Sequence, residues 1–357
     1  PISVDSKRIM VRFDDDKPSG SDRDGVIQLR RGVPDIALPP DTRYGQVRIA
    51  VDDTHYMKGM AMYAYDEDMP PGVDIIYNVT KNSSVGKLGA MKKMNETIEK
   101  EDGGSIYIDA DGKQKINEFG ASIRQLTYTD KNGKEQQSAL NIVGFAGKQD
   151  SGVEGSWQTW SKTLSSQFLS KQSPELAKQQ LNLAYIDQKE TFDQYMKITQ
   201  PAVKQRLLDS FADDCDSKAV HLKAAALPRQ TSNVILPIVS LKDNECYSTS
   251  YRDGEQLALI RYPHAGTFEI PIVTNNTKNK EAISVIGDGV DAIGITPATA
   301  ERLSGADFDG DSVIAIPYDP RIIRTSNLPQ ALEGFNPKTA YPAYDGMTPM
   351  SNAVKQR

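Results

Sequence analysis

Cysteine and histidine are scarce in this sequence, and their scarcity excludes several kinds of site. The 357 residues include two cysteines, Cys215 and Cys246, and three histidines. Two cysteines cannot build a disulfide framework or a cysteine-rich zinc site, and the scattered histidines give no metal-binding spacing. Because this cysteine usage is typical of a reduced compartment, we expect a cytoplasmic protein.

Long apolar runs and an excess of positive charge are missing too. No run approaches the ~18 consecutive apolar residues of a membrane span, so we expect no membrane partner. Lysine and arginine number 42 against 48 aspartates and glutamates, which gives a formal charge of −6. This balance argues against a module that coats nucleic acid, but it allows an enzyme with a locally basic channel. The chain starts at Pro1, without methionine, and we expect a partial chain.

The length predicts two or three domains, at ~150 residues each. Residues 1–150 predict a β-rich module, in which apolar runs alternate with turns and Asn132-Gly133 marks a hairpin. Within this module, the charged residues 7–31 predict a loop or a mobile edge. Residues 151–228 predict a helical connector. In it, Trp157, Trp160, Leu164 and Phe168 share one helical face, and helices begin at Pro174 and Pro201.

The remaining chain returns to β structure. Residues 229–325 predict a second β-rich module, with strands at 257–262, 267–270 and 312–316. A short helix between Thr296 and Leu303 precedes the last of these strands. Residues 326–357 predict an irregular tail that continues into sequence not included here.

Three carboxylates at alternate positions are the most informative feature. Asp307, Asp309 and Asp311 follow a helix-ending glycine and precede a strand, and Gly310 allows the backbone to turn and gather them. Crowded carboxylates repel each other until protons or cations relieve the repulsion. Three hard oxygen ligands suit Mg²⁺, which takes the rest of its shell from water and substrate phosphates.

Two plainer interpretations stand beside this one. The cluster fits a polar turn, but it does not fit an EF-hand calcium loop, since the glycine and the final ligand fall at the wrong positions. Asp109-Ala110-Asp111-Gly112 has a similar composition, but it lies between hairpin-like runs and predicts a turn.

The aspartates belong to a segment that resembles a known sequence signature. Residues 305–317 (GADFDGDSVIAIP) resemble the signature of the largest subunit of cellular RNA polymerases, in which aspartates of a double-psi β-barrel hold the catalytic magnesium. Upstream, Arg261-Tyr262-Pro263 looks like the Arg-x-Pro element of the same barrel, whose arginine lies near the sugar of the incoming nucleotide.

A second likeness lies near the start of the chain. Lys58-Gly59, residues 67–70 (EDMP) and residues 72–78 (GVDIIYN) resemble the lysine-bearing barrel of the second-largest subunit. On this match His55 and Lys58 take the positions of a histidine and a lysine of that barrel. Thr54, Tyr56 and Ala50 depart from it. Ala50 stands where the family has another lysine, for which Arg48, Lys81 or Lys87 could substitute.

This chain carries both signatures, with the lysine barrel first. In this order it is similar to the single-chain members of the superfamily. These are the RNA-silencing polymerases and the phage-encoded RNA polymerases, so the resemblance allows a phage or mobile-element origin. It implies an α+β fold of two double-psi β-barrels joined by a helical connector. The family's bridge helix and trigger loop would follow the aspartate barrel, and this chain is too short to hold both.

The resemblance also implies an activity, a Mg²⁺-dependent, template-directed RNA polymerase that uses two ions. Its partners would be a DNA or RNA template, the RNA product, ribonucleoside triphosphates and further polymerase segments or subunits. The catalytic residues would be Asp307, Asp309, Asp311 and Lys58, and the same three aspartates would be the metal ligands. Arg261, His55, Lys81 and Lys87 would bind substrate.

Two other functions stay open at this point. One is a metal-dependent primase or nuclease with an acidic triad, although the alternating β and α units of such a site are not obvious before Asp307. The other is a catalytically inactive, structural barrel protein, which would have no need of the intact aspartates and Lys58.

Overall fold

The computed structural model describes residues 2–14, 23–94, 98–99, 105–108, 112–116, 125–145, 172–221, 227, 229–262, 264–303 and 305–330. Residues Pro1–Thr325 form one compact unit and Ser326–Arg357 another. The fold of the first unit is α+β: a closed six-stranded barrel, a second large sheet and a few helices. The predicted helical face around Trp157 lies outside the described residues.

The strands before the connector are β1 (Ile9–Phe13), β2 (Val26–Leu29), β3 (Tyr44–Val51), β4 (His55–Tyr63), β5 (Ile75–Val79), β6 (Lys92–Lys93), β7 (Ile98–Glu99), β8 (Ser105–Ile108), β9 (Gln114–Ile116), β10 (Gln125–Thr129) and β11 (Glu135–Phe145). Helix α1 (Gly86–Gly89) precedes β6. Eight of these strands form the large sheet in the order β1-β5-β2-β4-β3-β11-β10, with β6 beside β4, and β7-β8-β9 form a small sheet.

The sheet confirms part of the strand prediction. The hairpin at Asn132-Gly133 joins the antiparallel strands β10 and β11, and Gly133 has the positive φ that such a turn needs. Of the lysine signature, Lys58-Gly59 lie on β4, which pairs with β3 from Tyr44 to Val51, and residues 75–78 lie on β5. This sheet holds the lysine-bearing module, and its closure into a second barrel stays a prediction.

The prediction of a loop or mobile edge over residues 7–31 is wrong for one of its segments. Strand β1 pairs with β5 at the edge of the sheet, but β2 lies between β4 and β5 with all four residues buried. Part of the charge that suggested a loop is paired, since Arg8 bonds to Asp35 at 2.6 Å and to Asp74 at 2.7 Å. A four-residue apolar run is too short to outweigh its charged flanks in a sequence pattern.

The barrel strands are β12 (Thr231–Pro237), β13 (Glu245–Tyr247), β14 (Gln256–Ile260), β15 (Ile272–Asn275), β16 (Ala292–Ile295) and β17 (Ser312–Pro317). They close in the order β12-β16-β13-β15-β14-β17. Closure leaves no free edge, and both parallel and antiparallel pairs occur. The barrel also contains the helices α4 (Lys280–Val285) and α5 (Pro297–Arg302).

The prediction of a strand at 267–270 is wrong. Thr267–Glu269 form a turn of 3₁₀ helix, and the strand is β15, which starts two residues beyond the predicted segment. The helix before the aspartates is confirmed, since the side chain of Thr296 accepts a hydrogen bond from the N–H of Thr299 and caps α5.

Two long helices stand between the modules, α2 (Pro174–Met196) and α3 (Pro201–His221). Both predicted starts are confirmed, and Ser173 caps α2 by accepting from the N–H of Leu176. Aromatic side chains pack between the two helices, and the ring centroids of Phe192 and Phe211 lie 5.9 Å apart. Among the described helices, none carries an apolar stretch long enough to cross a membrane.

The barrel packs against one face of the large sheet. Met60 and Met62 of β4 belong to the barrel's core cluster, whereas Met57 and Ala61 belong to the core on the other face. The Tyr44 hydroxyl donates to Asp291 Oδ1 at 2.9 Å and ties β3 to the barrel. Because alternate residues of a strand face opposite sides, even-numbered residues of β4 face the barrel.

Gly25 lies where the sheet and the barrel come closest. Its carbonyl accepts from the N–H of Met60, and its φ is 85°. A Cβ on Gly25 would lie 2.5 Å from the backbone nitrogen of Asp309. Any larger residue at this position would therefore push the aspartate loop away from the sheet.

We predict that Gly25→Ala destabilises the protein more than Gly32→Ala does. Gly32 has a similar φ of 75°, but its added Cβ would meet nothing within 4 Å, so it controls for backbone strain alone. Overpacking typically costs ~1–3 kcal/mol, and the two unfolding free energies should differ by about that amount. Urea unfolding measures the difference, and equal losses in the two variants would refute the close contact.

Candidate functional site

The three aspartates lie on a loop between α5 and β17. Gly310 within it has a φ of 126°, a region that L side chains rarely adopt. A Cβ there would also collide with the side chain of Gln46, which donates from Nε2 to the Asp309 carbonyl at 3.1 Å. The loop therefore requires glycine at this position for its conformation and for its contact with the sheet.

The carboxylates of Asp307, Asp309 and Asp311 converge. One oxygen from each lies within 4.8 Å of the other two. Backbone N–H groups brace the cluster, because that of Asp307 donates to Asp311 Oδ2 at 3.2 Å and that of Asp309 to Asp307 Oδ1 at 3.3 Å. The sequence prediction that this loop gathers all three side chains is confirmed.

Asp307 shows the cost of this convergence. Burial raises the pKa of Asp307, and repulsion from Asp309 and Asp311 raises it further, to about 6. A raised pKa means that the folded site disfavours the charged carboxylate. The cluster thus holds more negative charge than its surroundings neutralise.

Lys58 brings a positive charge from the sheet. Its Nζ lies 3.6 Å from Asp309 Oδ2, with both side chains about one third exposed. Lys58 shares the barrel-facing side of β4 with Met60 and Met62, which pack into the barrel core. Lys58 and Asp309, which the resemblance assigns to one catalytic site, are therefore in contact.

Arg261 supplies a second positive charge, from the barrel itself. It directly follows β14, and its Nη2 lies 2.8 Å from Asp311 Oδ2. Both side chains are about a quarter exposed. The ion pairs recorded for the cluster thus reach Asp309 and Asp311, whereas the raised pKa falls on Asp307.

The other three predicted substrate-binding residues contact different groups. His55 lies three residues from Lys58 on β4 and so faces the opposite side of the sheet, where its Nδ1 pairs with the Thr54 hydroxyl at 2.8 Å. Lys81 donates to the Gly89 carbonyl at 2.9 Å, and Lys87 donates to the Ser6 carbonyl at 2.8 Å. Their roles in substrate binding stay predictions.

Two residues of the site were missed by sequence reasoning. Gln46 holds the Asp309 carbonyl, and the Tyr77 hydroxyl donates to the Lys58 carbonyl at 3.3 Å. Burial and the negative charge of Asp309 and Asp307 raise the pKa of Tyr77 to about 12. Arg48, which the sequence offers as a substitute for the missing lysine at position 50, is 5% exposed and lies directly across from Lys58 in the β3–β4 ladder. For Gln46 the available signal was its even-numbered position on β3, the face shared with Tyr44.

The donor set fits a hard divalent cation. Carboxylate oxygens are the ligands that Mg²⁺ prefers, and its octahedral shell spans ~4.2 Å between opposite ligands. The 4.8 Å limit on the oxygen separations comes within reach of that shell after small rotations. The raised pKa of Asp307 also indicates that added positive charge would stabilise the ionised cluster.

Among the comparisons with known proteins, the one with solved structures gives a match. No protein-family model matches the chain, and no curated protein matches it. Among solved structures, the chain is similar to the "RNA dependent RNA polymerase QDE-1 from Thielavia terrestris", with a TM-score of 0.51 and 15% sequence identity. The match covers 92% of this chain and 38% of that one, so this chain spans well under half the neighbour's length. The likeness is one of fold.

We predict that Asp307→Asn stabilises the protein in the absence of divalent cations, and more so at pH 7 than at pH 4. The folded pKa of about 6 lies above the value of 3.8 for a free aspartate. Between these values the folded state holds a proton that the unfolded state has lost, so the unfolding free energy of the wild type falls as pH rises through this window. Half-exposure of the side chain reduces the size of the effect.

Urea unfolding in EDTA across this pH range measures the difference between variant and wild type. Asp319→Asn is the control of opposite sign, because Arg321 lowers the pKa of Asp319 to about 2. A difference between Asp307→Asn and wild type that stays constant with pH would contradict the assignment of charge crowding to Asp307.

Proposed function

We propose that this chain is the catalytic core of a template-directed RNA polymerase, which adds ribonucleoside triphosphates to an RNA 3′ end. The observation that carries the proposal is the meeting of Lys58 with Asp309 at 3.6 Å. These residues lie in two separate sequence signatures, Lys58 on the large sheet and Asp309 on a loop of the barrel, yet they form one charged site. The fold likeness to a structure titled as an RNA-dependent RNA polymerase supports the same conclusion.

In this proposal Asp307, Asp309 and Asp311 hold Mg²⁺. A divalent cation held by these residues would stabilise negative charge on the phosphate oxygens of the nucleotide. The protein contributes the arrangement of the ligands. The Gly310 turn, the bond from Gln46 and the two backbone N–H bonds hold the three carboxylates together before any substrate binds.

Lys58 acts on the phosphates in this proposal. Its ammonium group approaches the cluster from the sheet, opposite the barrel loop that carries the aspartates. A fixed positive charge at this place stabilises negative charge that develops on the transferred phosphate and on the leaving pyrophosphate. The bond from Tyr77 to the Lys58 carbonyl positions the backbone of β4 at this point.

In this proposal Arg261 binds the ribose of the incoming nucleotide. Its guanidinium is held by Asp311, so the guanidinium has a defined position next to the cluster. A planar fork of donors suits the 2′ and 3′ hydroxyls of a ribose. This assignment places the sugar on the barrel side of the site and the phosphates between the barrel and Lys58.

Several finer features belong to the proposal. They are a double-psi topology for both β modules, the division at residues 150, 228 and 325, a cytoplasmic site of action and a phage or mobile-element origin. A DNA or RNA template and further polymerase segments complete it. The chain spans 38% of its structural neighbour, which leaves room for such segments.

We predict that Asp309→Ala lowers Mg²⁺-dependent RNA synthesis by more than ~100-fold, the order of loss from removing an electrostatic stabiliser of the transition state. The assay is extension of a labelled RNA primer on DNA and RNA templates, with unprimed templates in parallel. Asp193→Asn is the matched control, because Asp193 forms only an exposed pair with Lys189 on α2.

The same assay separates the other two functions. A nuclease would shorten the labelled strand and a primase would act on unprimed templates, whereas a structural barrel would do neither. Activity of Asp309→Ala within twofold of the wild type would refute the proposed role of the cluster.

We predict that Arg261→Ala lowers the preference for ribonucleotides over deoxyribonucleotides. An unpaired, desolvated donor costs ~1–3 kcal/mol, which corresponds to about ten- to a hundredfold in discrimination. Because Arg261 also neutralises Asp311, its loss will slow the use of both kinds of nucleotide. The informative quantity is therefore the ratio of kcat/KM for a ribonucleotide and its deoxy analogue.

Arg261→Lys controls for charge. It keeps a cation near Asp311 but lacks the planar fork, so it should restore rate more than it restores the ratio. A ratio that stays at the wild-type value in Arg261→Ala would assign Arg261 to the ion pair alone.

A further inference from the structure

A cleft lies between the large sheet and the barrel, away from the carboxylate cluster. It has a volume of about 220 Å³ and is lined by sheet residues, among them Arg31, Arg43, Tyr63 and Tyr65, and by Ser284 and Val285 of the barrel. A single buried water needs ~10–15 Å³ by the same measure, so the cleft has room for a ligand much larger than water. None of these residues belongs to either sequence signature.

Two guanidinium groups give the cleft a positive character. Arg31 and Arg43 are both exposed, and among the described residues neither forms an ion pair with a carboxylate. Arg43 donates from Nη1 to the Ser284 carbonyl at 3.0 Å, which leaves its other donors for a ligand. In a chain of net charge −6, two such arginines in one cleft form a local site for anions.

Aromatic rings lie beside these charges. The Arg31 guanidinium stacks over the Tyr63 ring at 4.7 Å, and the Tyr63 hydroxyl accepts from the N–H of Leu38 at 3.0 Å. Tyr63 is thus fixed at one end, and its ring lies against the Arg31 guanidinium. Tyr65 is 46% exposed. Guanidinium planes and tyrosine rings are the surfaces on which unpaired nucleobases stack.

The position of the cleft connects it to the carboxylate site. Met62 lines the cleft and shares the barrel-facing side of β4 with Lys58, four residues away, which is ~13 Å along a strand. Stacked nucleotides rise by ~3.4 Å, so this separation corresponds to roughly four nucleotides. The acidic turn Asp66–Asp68 follows Tyr65 and would repel phosphate, which confines phosphate binding to the side of Arg31 and Arg43.

We propose that this cleft binds a single-stranded polynucleotide, with Arg31 and Arg43 on its phosphates and with Arg31 and Tyr65 as stacking surfaces for its bases. The bound segment lies about four nucleotides from the reacting end. This inference rests on the proposed function for the identity of the strand, but the binding itself does not require catalysis. It gives the polymerase a second hold on its template or product, distant from the metal ligands.

The test is the affinity of the full chain for labelled single-stranded RNA and DNA of about 12 nucleotides, measured by fluorescence anisotropy over roughly 50 to 200 mM salt. We expect the double variant Arg31→Ala/Arg43→Ala to bind at least tenfold more weakly than wild type. Each lost phosphate contact lowers the salt slope by ~0.7 for a single strand, so two lost contacts should lower it by ~1.4. We expect Tyr65→Ala to weaken binding at unchanged salt slope.

The matched control is Lys242→Ala/Arg206→Ala, which removes two positive charges from exposed positions outside the cleft. We expect its affinity to stay within twofold of wild type. Equal weakening in both double variants would overturn the proposal, since binding would then follow net charge alone. A wild type that binds neither RNA nor DNA, or that binds heparin as tightly as either, would overturn it as well.

Two further measurements separate this proposal from the proposed function. Repeating the titrations in an Asp309→Ala background disrupts the catalytic cluster. In that background we expect the Arg31→Ala/Arg43→Ala change to lower the affinity for single strands by the same factor as in the wild type. If the Arg31→Ala/Arg43→Ala change no longer weakened binding in that background, the claim that the cleft binds independently of the cluster would be overturned. A chain that binds single strands through the cleft but extends no primer would refute the proposed polymerase function and leave the cleft proposal standing. The RNA and DNA arms show which strand it prefers.

Discussion

Repulsion among three carboxylates is the constraint on which the rest of the site depends. Asp307, Asp309 and Asp311 lie within 4.8 Å of one another on a short loop, and such a cluster persists only where positive charge or protons offset it. The structure offsets part of it with Lys58 from the sheet and Arg261 from the barrel. The remainder shows in the raised pKa of Asp307. Packing of the sheet against the barrel is thus also what brings the compensating charge to the loop.

The same packing explains why glycine occurs at the closest contacts. Gly310 makes room for Gln46, and Gly25 makes room for the Asp309 backbone. At Gly59, an added Cβ would collide with the Gly25 carbonyl. These contacts join β4, the loop before β2 and the aspartate loop into one layered arrangement. A side chain at any of these positions would separate the two charges that the fold brings together.

The sequence predicted local features and the site better than the strand pairing. The aspartate loop, the capped helix before it, the hairpin at Asn132-Gly133 and the approach of Lys58 each have a local motif or a signature. Strand β2 was missed because its burial comes from pairing with β4 and β5, which no local pattern records. Gln46 and Tyr77 were missed for the same reason, since their partners are distant in sequence. The closure of the barrel around β12 and β17 likewise depends on contacts between residues far apart in the chain.

The central claim is that Lys58 and the aspartates form one electrostatic unit, and Mg²⁺ affinity tests it most directly. Calorimetric titration of wild type and Lys58→Met is the measurement, with Lys242→Met as the control for loss of an exposed lysine. Because Lys58 lies 3.6 Å from Asp309 and opposes a second cation there, its removal should tighten Mg²⁺ binding severalfold, while the control stays unchanged. An affinity that is the same in Lys58→Met and in the control would mean that the lysine and the carboxylates act separately, and would contradict this account.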